Sequence, residues 1–297
     1  MPEGDTVFLA ATRLHQALAG QRLLAAELRV PRPVARLRKL APGPSSITAD
    51  LAGQVVREVV PRGKHLLFRT DAGVTLHTHF KMEGAWHLYR PGERWRGHDF
   101  QVRAVLRTER WVAVGLRLAI CELLPTDQEH EVVGHLGPDV LGPDWDLDEA
   151  AGRLRADPDR AIGTALLDQR AIAGPGNIWK CELCFLWGVD PWTPVGEVRD
   201  LEGMLALLGR MMDANRTTGR QITTGDTRAG RTHWVTSRTG KPCRRCGTPI
   251  RKAEQQSYDA ERPTWWCPTC QPGPGPAQAQ GSRTTVAHTR AAPDAPR

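Results

Sequence analysis

The chain opens Met1-Pro2-Glu3-Gly4-Asp5, and the rest of the sequence is read outward from these residues. Asp5 is a helix-capping residue type. Val7, Ala11, Leu14 and Leu18 follow it at the spacing of one helical face, and Gly20 is placed to end the helix. A small second residue favours removal of the initiator methionine, which would leave the secondary amine of Pro2 as the chain terminus. An α-amino group titrates near about 8, well below a lysine, so a useful fraction is neutral and nucleophilic at neutral pH. Such an amine attacking a sugar aldehyde carbon gives a cationic iminium, a strong electron sink, and Glu3 beside it can move protons during the attack. On these residues alone, an ordinary start residue next to a surface carboxylate is the commoner case. The remaining motifs reverse that balance.

At 297 residues, with 40% hydrophobic and 25% charged content, the chain is long enough for two compact domains of ordinary globular composition. No apolar run approaches the roughly 20 residues of a membrane span. No basic region followed by an apolar core marks a secretory signal, so the expected compartment is the cytoplasm. Net charge is +7, and it is unevenly placed: between Ala214 and Cys270 eleven basic residues face four acids, an excess equal to that of the whole chain. A basic end module suggests a polyanionic partner, against the plainer alternative of a solvated arginine-rich segment.

The first half reads as one helix followed by short extended runs: 23–30, 54–60, 64–70 after the turn residues Arg62-Gly63, two strands within 73–89, then 100–107 and 111–118. That spacing predicts an antiparallel sandwich or barrel. The proline- and arginine-rich stretch 31–46 reads as a surface loop. The second half is helical, with helices expected over 146–156 (Asp146 as cap), 162–173, 177–187 and 200–215. The second and third are separated only by Gly174-Pro175-Gly176, which predicts a helix–turn–helix-like unit. The organisation expected is therefore α+β and multidomain: an N-terminal catalytic domain over 1–125, a helical domain over 126–233, a cysteine module over 234–271 and a disordered tail over 272–297, where Pro, Gly, Ala and Gln dominate.

Of seven cysteines, four form Cys243-x2-Cys246 and Cys267-x2-Cys270, two pairs twenty residues apart. Two such pairs place four thiolates tetrahedrally around one ion, and zinc suits that set best. The site is closed, so its role is structural: it stiffens a short basic hairpin that has too little apolar surface to fold alone. Cys181-x2-Cys184 lies inside an expected helix with no partner pair and reads as burial of small apolar side chains. Gly174-Pro175-Gly176-Asn177 opens a helix, where backbone N–H groups and the Asn177 amide can meet phosphate, although a simple tight turn is the commoner reading. Lys64 starts a strand, where a lone lysine is normally solvated. His79-Phe80-Lys81-Met82-Glu83-Gly84 is a turn carrying an exposed methionine, which either packs on its own sheet or pushes into a base stack.

In this order the motifs resemble the formamidopyrimidine-DNA glycosylase/endonuclease VIII family. The resemblance rests on PEG at 2–4, RGKHLL at 62–67, HFKMEG at 79–84, HLGPDVL at 135–141, LLDQRAIAGPGN at 166–177 and RPTWWCPTC at 262–270, and its flavour is that of the actinobacterial endonuclease VIII branch. It implies a β-sandwich with an N-terminal helix, a helix–two-turn–helix domain and a zinc-finger β-hairpin, with damaged double-stranded DNA in the cleft and a monomeric enzyme. It implies a bifunctional glycosylase/AP lyase of base-excision repair that flips out oxidised bases, preferably pyrimidines, and cuts by β,δ-elimination. Pro2 would be the nucleophile, Glu3 the general acid/base, and Lys64 the catalytic contact to the lesion phosphate. Asn177 and Arg262 would grip flanking phosphates, and Met82 would fill the gap in the stack.

The physical reading agrees, since a target carbon shielded in the duplex must be flipped out, and phosphate contacts hold a strand without reading its sequence. Asp5-Thr6 stand where the family usually has Pro-Glu, so an acid at position 6 is missing and its role falls to Asp5 or to none. The insert between the cysteine pairs, around 254–261, is longer than usual. The alternatives are a preference for oxidised purines, set by pocket loops near 217–233, and a non-catalytic zinc-dependent DNA-binding protein.

Overall fold

A computed structural model describes residues 2–29, 51–257 and 260–276. The expected loop at 31–46 and tail residues 277–297 lie outside the described residues. Helix α1 (Gly4–Leu18) carries Val7, Ala11, Leu14 and Leu18 on its buried face, as the spacing predicts. Its N-cap is Glu3 and not Asp5. Asp5 lies one position inside the helix and turns inward, where its carboxylate accepts from Trp179 Nε1 at 3.0 Å and Gln221 Nε2 at 3.2 Å. Burial and these contacts compete successfully with capping.

Eight strands follow: β1 (Ala25–Leu28), β2 (Val56–Arg62), β3 (His65–Thr70), β4 (Val74–His79), β5 (Ala85–Tyr89), β6 (Val102–Arg107), β7 (Val112–Leu116) and β8 (Ile120–Pro125). They form two antiparallel four-stranded sheets, ordered β1-β6-β7-β5 and β2-β3-β4-β8. A core from the strands and α1, including Leu14, Leu66, Phe68, Leu76, Leu106 and Leu123, holds the sheets together. β8 escapes the sequence reading because its residues run directly into the expected domain boundary, and Glu122 interrupts its apolar character. It is an edge strand, where Pro125 costs no ladder hydrogen bond.

The helical half contains α2 (His130–Val133), α3 (Leu147–Arg155), α4 (Ile162–Ala165), α5 (Asn177–Trp187) and α6 (Leu201–Asn215). Asp146 caps α3 through Glu149 N at 2.9 Å and Asp200 caps α6 through Gly203 N at 2.9 Å. The helix expected over 162–173 ends instead at Ala165. Asp168 is the physical reason: its Oδ1 accepts from Arg170 N and Nε and its Oδ2 from Arg160 Nη1 and Arg170 Nη2, which offers the backbone a local turn in place of the helix. The chain then makes a second turn, where Gln169 accepts from Gly174 N at 3.1 Å and donates to Pro175 O at 3.0 Å. Trp179, Leu183, Met204, Leu208 and Met212 fill this half's core.

β9 (Arg251–Gln256) and β10 (Glu261–Trp266) pair as an antiparallel hairpin with Trp266 opposite Arg251. A small core of Cys181, Phe185, Val235, Ile250, Cys243 and Cys267 joins the hairpin to α5, so Cys181 is a packing residue; Cys184 is fully buried as well. Residues at the edge of the expected tail are packed against the helical half. Gln271 is fully buried and donates to Val189 O at 2.8 Å, and Gly273 packs so tightly on Asp190 that a Cβ there would lie 2.4 Å from Asp190 Cβ.

Candidate active site

Between the β2-β3-β4-β8 sheet and the helical half lies a cleft of about 590 Å³. Pro2, Lys64, Met82, Asn177 and Arg262, drawn from five separate stretches of sequence, all line it. Glu3 does not line it; it is fully buried directly behind Pro2. Its carboxylate sits on the N-terminus of α5, where Oε1 accepts from Ile178 N at 2.8 Å and Oε2 from Gly176 N at 3.0 Å and Trp179 N at 3.3 Å. Those N–H groups are the ones the sequence reading offers to phosphate; the protein's own carboxylate takes them. Burial pushes the Glu3 pKa above the ordinary carboxylate value, against the opposing pull of Lys64 and the α5 amides and with Asp5 adding to the rise. The direction of that shift makes Glu3 a readier proton carrier than a solvated glutamate.

Two glycines make this approach possible. Gly4 N donates to Gly174 O at 2.9 Å, and a Cβ at Gly4 would lie 2.9 Å from Gly174 Cα. The start of α1 is therefore seated on the Gly174-Pro175-Gly176 turn, which carries Pro2 to the cleft.

Lys64 follows Gly63, whose φ of +57° suits a residue without a Cβ. Gly63 N donates to Asp139 Oδ2 at 2.6 Å, and Arg62 pairs with Asp144 Oδ2 at 2.6 Å and Gly137 O at 3.1 Å. The HLGPDVL segment thus holds the turn that presents Lys64. Sequence reasoning gave Asp139 no role, although an aspartate inside an otherwise apolar, glycine-flanked stretch is a signal for a buried acceptor.

Asn177 is nearly buried and donates through Nδ2 to Pro263 O at 2.7 Å, while its Oδ1 has no hydrogen-bond partner. Lys180, fully buried, donates to Thr264 Oγ1 at 2.5 Å. These two contacts fasten the hairpin to α5 and bring Arg262 across the cleft, where Nη1 lies 4.0 Å from Met82 Sδ. Met82 is 55% exposed. Glu182, also fully buried on α5, accepts from Trp234 N, Val235 N and Thr236 N and from the hydroxyls of Thr223 and Thr236. It ties both ends of the 223–236 loop to the helix that carries Glu3's amide partners. Asp5, like Glu3, lies behind the cleft lining, held by Trp179 and Gln221.

The sulfurs of Cys243, Cys246, Cys267 and Cys270 all lie within 4.8 Å of one another, with Cys243–Cys270 at 3.9 Å and Cys246–Cys267 at 3.4 Å. Tetrahedral Zn–S bonds of about 2.3 Å would place sulfurs about 3.8 Å apart, so the donor set fits one structural zinc. Among the described residues no other group of His, Cys, Asp and Glu is so arranged.

A two-sheet sandwich led by an N-terminal Pro-Glu, a two-turn helical unit and a four-cysteine hairpin around one cleft define a class. The chain belongs to the formamidopyrimidine-DNA glycosylase/endonuclease VIII family of DNA glycosylases and AP lyases of base-excision repair. Residues 1–118 match the formamidopyrimidine-DNA glycosylase N-terminal domain, and 240–273 match the zinc finger found in FPG and IleRS. Within the family it is 50% identical to "Probable endonuclease 8 2" of Streptomyces coelicolor, over 96% of this chain and 99% of that one. It is 44% identical to "DNA-(apurinic or apyrimidinic site) lyase Nei2" of Mycolicibacterium smegmatis, over 91% and 99% of the two chains. Among solved structures, MutM in complex with DNA containing carbocyclic 8-oxo-G superposes with a TM-score of 0.75 at 25% identity, covering 92% of this chain and all of that one.

Proposed function

We propose that this protein binds damaged double-stranded DNA in the cleft as a monomer, extrudes an oxidised base, preferably a pyrimidine, excises it and cuts the strand by β,δ-elimination. The observation that carries the reading is Glu3, fully buried on the α5 N-terminus and directly attached to the Pro2 that lines the cleft. Pro2, freed of Met1, attacks C1′ of the extruded nucleotide and forms the iminium. Glu3 serves as general acid/base in sugar opening and in later proton transfers. Lys64 holds the phosphate at the lesion. Asn177 uses one amide hydrogen on Pro263 O and has a second for a flanking phosphate, and Arg262 grips another. Met82, exposed beside Arg262, enters the gap in the stack. The zinc hairpin's part is to keep Arg262 in place. Support for the pyrimidine preference is the 50% identical relative, which carries the name endonuclease 8.

Borohydride trapping on three duplexes, bearing thymine glycol, 8-oxoguanine or an abasic site, tests the reading. Covalent adducts with thymine glycol and the abasic site, and little with 8-oxoguanine, are expected. A dominant 8-oxoguanine adduct would move the preference to purines. No adduct on any duplex, with Met1 shown by intact mass to be absent, would overturn the catalytic reading.

A further inference from the structure

A line of three hydrogen-bonded side chains runs along the cleft-facing side of the β2-β3-β4-β8 sheet and has no part in the steps above. Glu122 Oε1 lies 2.9 Å from His77 Nδ1, and His77 Nε2 lies 2.8 Å from His65 Nδ1. The strand register makes the line: His77 stands directly opposite Glu122 on β8, and His65 stands opposite His79 on β3 and β4. His77 is 1% exposed, and all three residues line the same cleft as Pro2 and Lys64. The imidazole rings of His65 and His79 meet edge to face at 4.6 Å, with His135 at 6.3 Å on another side.

The partners decide the proton positions. An ionised carboxylate only accepts, so His77 Nδ1 carries the hydrogen given to Glu122. His77 Nε2 is then a bare acceptor, and it takes the hydrogen of His65 Nδ1. A neutral His65 is left with its lone pair on Nε2. His65 is held neutral, its pKa pushed down to about 2 by burial first and then by His79, His77, His135 and Lys81. His79 is likewise lowered to about 3 by burial, Lys81, Lys64 and His77. Lys64, Lys81, Arg170 and Arg262 are the cations that line the cleft, and Glu122, Glu131 and Asp168 are its carboxylates. Lys81 is the last of the causes that lower His65, so DNA phosphate meeting Lys81 relieves that part of the lowering, and the relay itself moves the charge on to His77 beside Glu122.

Resting on the proposed iminium chemistry, we infer that His65, positioned by His77 and Glu122, is the proton acceptor of β-elimination. The C2′–H bond of the iminium breaks, and its electron pair forms the C1′–C2′ double bond of a neutral enamine. The proton goes to His65 Nε2, His65 passes its Nδ1 proton to His77 Nε2, and the charge comes to rest as an imidazolium beside Glu122. The enamine then re-forms the iminium, makes the C2′–C3′ double bond and breaks C3′–O3′, so that the bond pair leaves with the phosphate. Return of the proton to water resets the line. A relay of this kind divides the work: Glu3, on the α5 N-terminus, serves sugar opening and the other proton transfers, and His65, on β3, takes the C2′ proton.

The test uses the full-length zinc-loaded protein on a duplex with one abasic site, comparing the rate of borohydride-trapped adduct with the rate of strand scission without borohydride. For His65→Gln, scission is expected to fall by about a hundredfold, and for Glu122→Gln by about tenfold, while adduct forms at the wild-type rate. Deuterium at C2′ should slow scission further in the variants than in the wild type. Scission unchanged in both variants, or scission and adduct falling together, would overturn the assignment. If His65→Gln fails to fold, Glu122→Gln alone decides, because it keeps the side-chain shape and one acceptor. Absence of adduct in the wild type would instead remove the iminium reading itself.

Discussion

Gly176 and Glu3, 173 residues apart, are in direct contact: Gly176 N donates to Glu3 Oε2 at 3.0 Å, and a Cβ on Gly176 would lie 2.4 Å from Glu3 Cδ. No flexible end can yield, because the carboxylate is held by two further amides of α5. Gly176→Ala should therefore displace the Glu3 carboxylate while leaving the zinc hairpin and the sandwich core intact. Base excision is expected to fall by about a hundredfold or more, with duplex affinity within a few-fold of wild type. Single-turnover excision alongside a binding titration checks it, and equal loss of both would show that the α1 seat itself has collapsed.

Asp139 holds the turn that presents Lys64, through Gly63 N at 2.6 Å, and also accepts from Leu141 N at 3.2 Å. Asp139→Ala leaves both amides without that acceptor, a cost of about 1–3 kcal/mol in unfolding free energy. Strand scission should fall as well, because the turn no longer fixes the lysine. Denaturant melts paired with scission rates check this; a stability loss with unaltered scission would show that Lys64 finds its place without Asp139.

Asp168 supports the two-turn segment and titrates well below the ordinary aspartate range, first because Arg170 hydrogen-bonds its carboxylate and then through Arg160. A carboxylate with a depressed folded pKa contributes stability above its unfolded value, near about 3.9, and loses it as pH falls through the folded value. The wild type should accordingly lose stability on acidification below about 4, and Asp168→Asn should show less of that loss while being less stable at neutral pH. Thermal melts from neutral to strongly acidic pH compare the two.

Removing zinc with a chelator should unfold the hairpin and free Arg262, since four thiolates and a small core are what hold it. Duplex binding should weaken across sequences, while the sandwich, whose core is separate, keeps its melting transition. Arg262→Ala should reproduce only the binding part and flatten the salt dependence by up to about one unit. Filter binding over a range of salt, with zinc content measured in parallel, distinguishes the two.

Much of the site was legible in the chain. The cysteine spacing named the metal, because four soft donors in two pairs have few other uses. The face of α1 was visible as periodicity because it buries one side, whereas β3 and β4, which bury consecutive residues, were legible as short runs between turn residues. The helix over 162–173 was misread because side-chain competition from Asp168 for its own backbone leaves no periodic trace. Asp5 looked like a cap because its burial against Trp179 and Gln221 is decided by residues far along the chain. β8 was missed, and with it Glu122, although once β8 is seen the register places Glu122 opposite His77.

By itself the sequence determined the change from a strand-rich half to a helical half and the zinc set, because periodicity, spacing and chemistry are local. Only the tertiary structure decided that the α5 amides serve Glu3 and not phosphate, that Asp139 holds the Lys64 turn, and that His65, His77 and Glu122 form one line. Each of those facts is a contact between distant segments. Burial and hydrogen-bond satisfaction settle such contacts only once the whole chain has packed.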